Sequence, residues 1–382
     1  MSKKITESQA QREISKFFGP DTIFFDGDIN IGKYDYIPTG SPALDEAIGI
    51  GGIPRGRIIQ LAGKESSGKT MLALSCIKSY LDSNPNNTAL FIDAEYTYDP
   101  EWAASQGVDI SRVMVIKTND AKAIFEGLIG TMKVNSVTKK TSKNMKGILD
   151  YVIDGSDPKF KDLGIIILDS IAVLNTPMEV AAAIGKANMA PIPRFLSTEL
   201  KKLTPMLAKS NVAFVGINQV RVDLGKMFGD PTSSPGGKAL KHACSLMINI
   251  APIFSSDSQI TDSNGNRIGH KVRAKIGKNK VGTPFRKAEY SIEYLRGITS
   301  SDEEIFELGV KYGTIDRPSA QYYIIDGEKI RGREAALSSF LSNRPLVKET
   351  LSTVSEMYMN GVAEPNDNNP KEEENPVFGL IE

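Results

Sequence analysis

Eight consecutive residues, Gly63-Lys64-Glu65-Ser66-Ser67-Gly68-Lys69-Thr70, have the types and spacing needed to hold a triphosphate. In a G-x-x-x-x-G-K-[ST] run the glycines let backbone N–H groups turn inward on phosphate oxygens. The Lys carries positive charge to the terminal phosphates, and the Thr hydroxyl is a ligand for Mg²⁺. Gly63, Glu65, Ser66, Ser67, Gly68, Lys69 and Thr70 are therefore the candidate nucleotide-binding residues, with ATP and Mg²⁺ as implied cofactors. Such a loop works only between a strand and a helix. Arg57-Ile58-Ile59-Gln60-Leu61-Ala62 reads as a buried strand entering it, and Met71-Leu72-Ala73-Leu74-Ser75-Cys76-Ile77 as an apolar helix leaving it.

Phosphoryl transfer to water also needs a metal-side carboxylate and a group that orients the water. Ile165-Ile166-Ile167-Leu168-Asp169-Ser170 is an apolar strand ending in Asp, so Asp169 joins Thr70 as the candidate metal side. Phe91-Ile92-Asp93-Ala94-Glu95 puts Glu95 at another strand end, where it would act either as general base or as a structural ion-pair partner. Val212 to Ile217 is a further buried strand followed by Asn218-Gln219, and an amide there would sense a γ-phosphate.

The elements that must position these groups follow from the apolar pattern. Segments 57–62, 88–93, 163–169, 212–218 and 246–250 are rich in Ile, Val, Leu and Phe and alternate with helices, which predicts an α/β fold around a mainly parallel central sheet. A length of 382 residues with 40% hydrophobic content supports a large core and excludes disorder throughout. Basic and acidic residues number 46 each, so any nucleic-acid contact must come from local patches. Cys76 and Cys244 lie in apolar surroundings and read as buried thiols, and His242 and His270 supply no zinc set. Without an apolar signal core or an 18-residue apolar stretch, a cytoplasmic protein with no membrane contact is expected.

Around this core, residues 5–18 predict a short amphipathic helix that packs on its own domain or on a neighbouring subunit. The stretch Lys133 to Lys161 reads as a polar surface insertion, either a solvated loop or an auxiliary contact to a polyanion. After residue 298 the elements shorten: a helix from Asp302 to Tyr312, a strand pair about Asp326-Gly327 and a helix from Arg333 predict a small C-terminal α/β domain. An acidic tail, disordered from about residue 356, ends in the apolar Val377-Phe378-Gly379-Leu380-Ile381.

These motifs in this order, with Met227-Phe228-Gly229-Asp230-Pro231, Pro235-Gly236-Gly237-Lys238-Ala239-Leu240-Lys241 and Lys278-Asn279-Lys280 before Pro284-Phe285, resemble the bacterial RecA recombinases from about residue 10 to 350. The resemblance implies residues 1–36 as a polymerisation helix and linker, 37–297 as a RecA-type P-loop ATPase core, and 298–355 as the small C-terminal domain. It implies that Glu95 activates water, that Gln219 couples the γ-phosphate to DNA, and that Asp99 and Trp102 contact adenine. Lys278 and Lys280 would reach the neighbouring subunit's phosphates, as an arginine finger does in trans. Two DNA-binding loops are implied, about 178–190 with Met189, and 219–240 with Arg221, Lys226, Met227, Phe228, Gly236 and Gly237. Arg194, Ser197 and Lys201 would contact phosphates.

The implied function is a DNA-dependent ATPase that forms helical filaments on single-stranded DNA, pairs them with duplex DNA and exchanges strands, assisted by loading or single-strand-binding proteins. A ring-forming helicase and a regulatory P-loop ATPase are the alternatives. Lys201 stands where the family usually has Arg, Asp223 stands at a usually basic position, and the 133–161 insertion is atypical. Such drift points to a divergent member, acting in the bacterial cytoplasm, or in host cytoplasm if phage-encoded.

Overall fold

The computed structural model describes residues 34–134, 141–176, 179, 191–222, 232–233, 237–255, 258–299 and 301–360. Among them the largest sheet has ten strands. Its strands are β1 (Ile58–Gly63), β2 (Thr88–Asp93), β3 (Val113–Lys117), β4 (Leu163–Asp169), β5 (Ala213–Gln219), β6 (Leu246–Pro252), β7 (Arg267–Asn279) and β8 (Lys287–Glu293), with short additions at 259–261 and 297–298. Six strands run parallel in the order β3-β2-β4-β5-β1-β6, and β7 and β8 extend the sheet antiparallel beyond β6.

The parallel strands are apolar on both faces because helices cover both. On one face α1 (Lys69–Ser83) buries Leu72, Ile77 and Leu81 against Ile59, Ile165 and Val215. On the other, α4 (Pro191–Ser210) buries Leu196, Leu200, Leu203 and Leu207, a helical spacing, against Ile166, Leu168 and Phe214. Two shorter helices, α2 (Pro100–Ser105) and α3 (Ala121–Ile129), are each begun by an Asp side chain that caps the first turn. The sheet ends at β3, where Val115 and Ile116 are each 38% exposed.

The expected polar insertion is more ordered than a loop. Thr131–Val134 pairs antiparallel with Thr141–Met145, and a helix follows at Ile148–Asp154. Lys143 and Lys146 are ion-paired to Asp150 and Asp154, so those two charges are already partnered within the segment.

Beyond the sheet, helix Ser301–Tyr312, the hairpin Tyr322–Ile325 with Glu328–Arg331, and helix Arg333–Ser342 form where the pattern predicted them, around Phe306, Tyr323 and Phe340. Glu304 ties this group to the helix Pro42–Ile48 by accepting from Ser41 Oγ at 2.5 Å and Ala43 N at 2.9 Å. A final helix, Arg344–Met359, corrects the expected start of the disordered tail: residues 356–359 continue it, because Val347, Thr350 and Val354 give that helix a buried face. The expected helix at 5–18 and the rest of the tail lie outside the described residues. Among the described residues no helix is long and apolar enough to cross a membrane.

Candidate nucleotide-binding site

Register assembles the site. Parallel pairing sets Gly63 beside Gln219 and Asp93 beside Asp169, so the carboxyl ends of β2, β4, β5 and β1 open onto one crevice. The phosphate loop spans the end of β1 and the start of α1. A Cβ on Gly63 would meet the Ile250 carbonyl oxygen at 2.3 Å, and Gly68 has φ +88° with Ile292 Cδ1 2.9 Å from a Cβ position, so neither tolerates a side chain. Gly68 caps α1 without a side-chain bond, which leaves the first-turn N–H groups facing the crevice.

Lys69 is buried and donates to the Lys64 carbonyl at 2.6 Å, with Ser67 Oγ at 3.5 Å. Burial lowers its pKa, against the opposing pull of Asp169, Glu95 and Glu65. Thr70 Oγ1 donates to Asp169 Oδ2 at 2.8 Å. Burial pushes the Asp169 carboxyl up to about 6, with help from the negative charges of Glu95 and Asp93. Among the described residues no group of three or more His, Cys, Asp and Glu gathers to hold a metal alone. One hydroxyl and one carboxylate, both hard oxygen donors, fit an Mg²⁺ that takes its other ligands from phosphates and water.

The carboxylate expected to activate water has a defined setting. Glu95 Oε1 accepts from Ser170 Oγ at 2.5 Å and from Gln219 Nε2 at 3.4 Å. Its backbone N–H, with that of Ala94, donates to the Asp169 carbonyl. Asp93 is fully buried and accepts from Thr97 N and Tyr98 N, each at 3.0 Å, which folds the chain sharply after Glu95. Asp93 is thus spent on structure, while Glu95 faces the crevice ends of β4 and β5.

Asp99 Oδ1 caps α2, accepting from Glu101 N and Trp102 N. Trp102 Nε1 donates to the Tyr294 carbonyl at 2.9 Å, as does Gln106 Nε2. A cleft of about 300 Å³ runs along the phosphate loop and is walled by Trp102, Tyr294, Ile292 and His270. Sequence reading missed Ser170, Tyr294 and His270 as members of this site. Ser170 was in view as the residue after the strand-end Asp. Tyr294 and His270 lie on and beyond the antiparallel extension, and no local pattern ties them to the loop.

Lys278, at the end of β7, donates to the Lys241 and His242 carbonyls at 2.6 and 3.2 Å, capping the helix Gly237–Ala243. Burial and the neighbouring Lys280 lower its pKa. The Lys280 backbone N–H donates to the Ser245 carbonyl. Arg194, Ser197 and Lys201 share one face of α4 by their i, i+3, i+7 spacing, with Arg194 and Lys201 exposed. Arg221 lies in a two-residue strand paired with Thr232–Ser233, and Gly237 begins the Gly237–Ala243 helix. Met189, Lys226, Met227, Phe228 and Gly236 lie outside the described residues.

The family model described as RecA N-terminal domain matches residues 4–140 and 147–299. Protein RecA of Borrelia duttonii (strain Ly) is 33% identical over 350 residues, covering 91% of this chain and 88% of that one. Protein RecA of Frankia alni is 35% identical over 348 residues, covering 91% and 90%. Protein RecA of Paenarthrobacter aurescens (strain TC1) is 32% identical over 363 residues, covering 95% and 94%.

Proposed function

Since this chain belongs to the RecA family and is an ATP-dependent DNA recombinase, we propose that ATP binding and DNA engagement are coupled through Gln219 and that Glu95 ends each cycle by activating water. The observation carrying this is one of placement. Gln219 hydrogen-bonds Glu95 and is the last residue of β5, at the mouth of the 219–240 segment.

In this reading Gly63, Glu65, Ser66, Ser67 and Gly68 form the cradle, and Lys69 neutralises the terminal phosphates. Thr70 and Asp169 hold Mg²⁺, which when bound supplies positive charge to the phosphate oxygens. Glu95, oriented by Ser170, takes the proton from the attacking water. Asp99 and Trp102 contact the base, Asp99 also serving as a helix cap. Lys278 and Lys280 complete a neighbouring copy's site, so hydrolysis depends on assembly. Arg194, Ser197 and Lys201, with Met189 and residues Arg221, Lys226, Met227, Phe228, Gly236 and Gly237, track single-stranded DNA by phosphate contact and base wedging.

Self-association into a filament is supported by the β3 edge, which pairs with no further strand among the described residues, carries exposed Val115 and Ile116, and would accept chain from a second copy. We read residues 1–36 as the segment that does this, 37–297 as the ATPase core and 298–359 as the small C-terminal domain, in a protein of the cytoplasm. Loading or single-strand-binding proteins are the expected further partners.

Imaging on circular single-stranded DNA with a slowly hydrolysed ATP analogue tests this. Continuous helical filaments that stretch the DNA are expected; discrete rings would favour a helicase, and bare DNA a regulatory ATPase.

A further inference from the structure

The cleft along the phosphate loop holds one side chain that the fold leaves unsatisfied. His270 is 5% exposed, and neither Nδ1 nor Nε2 has a hydrogen-bond partner among the described residues. It lies on β7, opposite Ile292 of β8 and Gln259 on the other side, and shares the buried face of the strand with Val272 and Ala274. Buried polar groups are hydrogen-bonded in folded proteins, so two unpartnered ring nitrogens on a cleft wall mark the place of a group that arrives from outside. Among the described residues no other side chain lining this cleft carries a buried polar atom without a partner.

The cleft walls are of two chemical kinds. Gly68, Lys69 and Thr70 supply N–H groups, charge and a hydroxyl, which suit phosphates. Trp102 and Tyr294 supply aromatic surface, which suits a flat base. His270 belongs with the second kind: its ring centroid is 5.8 Å from that of Tyr294, with the planes tilted by 49°. The Tyr294 carbonyl accepts from both Trp102 Nε1 and Gln106 Nε2, which holds this aromatic wall in place. Burial and the positive charge of Arg267 lower the His270 pKa below the ordinary histidine value, so the ring is neutral at pH 7. A neutral imidazole offers one donor and one acceptor, the two functions that the edge of a base also carries.

We propose that His270 reads the base of the bound nucleotide, one ring nitrogen hydrogen-bonding the base edge beside Trp102 and Tyr294. The role rests on the reading of this cleft as the seat of ATP. Without a ligand neither tautomer of the ring has a partner, and a bound base selects one of them.

Calorimetric titrations with ADP, 2′,3′-dideoxy-ADP and inorganic pyrophosphate separate base, sugar and phosphate. His270→Phe keeps a flat ring beside Tyr294 and removes both nitrogens. It should weaken ADP and dideoxy-ADP alike by roughly tenfold and leave pyrophosphate within about twofold. His270→Asn restores a donor and an acceptor and should recover most of that loss. The parent protein gives a measurement that needs no variant: with only His242 and His270 to assign, the ring nitrogen chemical shifts of His270 should move to those of a single tautomer when ADP binds. Unmoved shifts, unchanged ADP affinity in His270→Phe, or an equal weakening of pyrophosphate would each overturn the proposal. A loss for ADP but not for dideoxy-ADP would put the contact on the sugar and overturn the base assignment. Lys69→Ala tells the two levels apart: if it keeps ADP affinity, the reading of the site fails, whereas ADP lost there and kept in His270→Phe removes the role of His270 alone.

Discussion

Gln219 and Ser170 hydrogen-bond the same oxygen of Glu95, Oε1, from two adjacent strand ends. A shift of the Gln219 amide therefore changes the charge environment of the proposed base directly. Gln219→Ala should leave ATP affinity within about threefold, because the phosphate cradle is untouched, and abolish stimulation of hydrolysis by single-stranded DNA. Parallel titrations of ATP binding and of DNA-stimulated turnover check this. Full stimulation in the variant would remove Gln219 from the coupling.

Glu95→Gln keeps the shape and a hydrogen-bond acceptor for Ser170 while removing the base. Turnover should fall on the order of a hundredfold or more, with nucleotide-dependent DNA binding retained. Stopped phosphate-release assays beside DNA-binding titrations give the two numbers, and a variant with normal turnover would assign the proton transfer elsewhere.

Asp169 makes stability pH-dependent. Its carboxyl sits at about 6 in the fold against an ordinary 3.8, so the folded state holds the proton more tightly than the unfolded chain. Stability from this group is therefore greatest below about pH 4, falls as pH rises to about 6, and is level above. Asp169→Asn removes the cost and should be more stable than the parent by about 3 kcal/mol at pH 7 and by only about 0.5 kcal/mol at pH 4. Melting of both proteins in chelator without nucleotide checks it. Asp45, pushed by burial to about 8, contributes the same sign to both and cancels in the difference.

Lys278 offers a test of action across an interface. Lys278→Ala and Lys69→Ala should each be inactive alone. Mixed in equal parts, about a quarter of the sites would pair an intact Lys69 with a neighbour's intact Lys278, so about a quarter of parental turnover should return. If the mixture stays inactive, Lys278 serves its own subunit, through the helix Gly237–Ala243 that it caps.

The phosphate loop, Asp169, Glu95 and Gln219 were legible because each sits at the end of an apolar run, and parallel strands in one sheet bring such ends together whatever their separation in sequence. Strand β7 was not legible: its burial alternates, with Lys271, Arg273 and Lys275 facing solvent, so it lacks the apolar run that marks β1 or β4. Tyr294 was missed for the same reason, since it joins the cleft only through the antiparallel extension that β7 begins. The 131–145 hairpin is written in polar residues, Thr-Met-Lys-Val and Thr-Ser-Lys-Asn-Met, which read as a loop until the backbone pairing is seen. Asp99 was named through the resemblance alone, and its work in capping α2 depends on backbone N–H groups that sequence does not display.

The register that sets Gly63 beside Gln219 and Asp93 beside Asp169 is held by backbone hydrogen bonds, which are indifferent to whether a strand carries Ile, Val or Leu. Core side chains can exchange within volume limits, and surface helices can drift further, while the reacting groups keep their spacing. A chain only about one-third identical to its relatives can therefore diverge over most of its length and still aim the same atoms at one point.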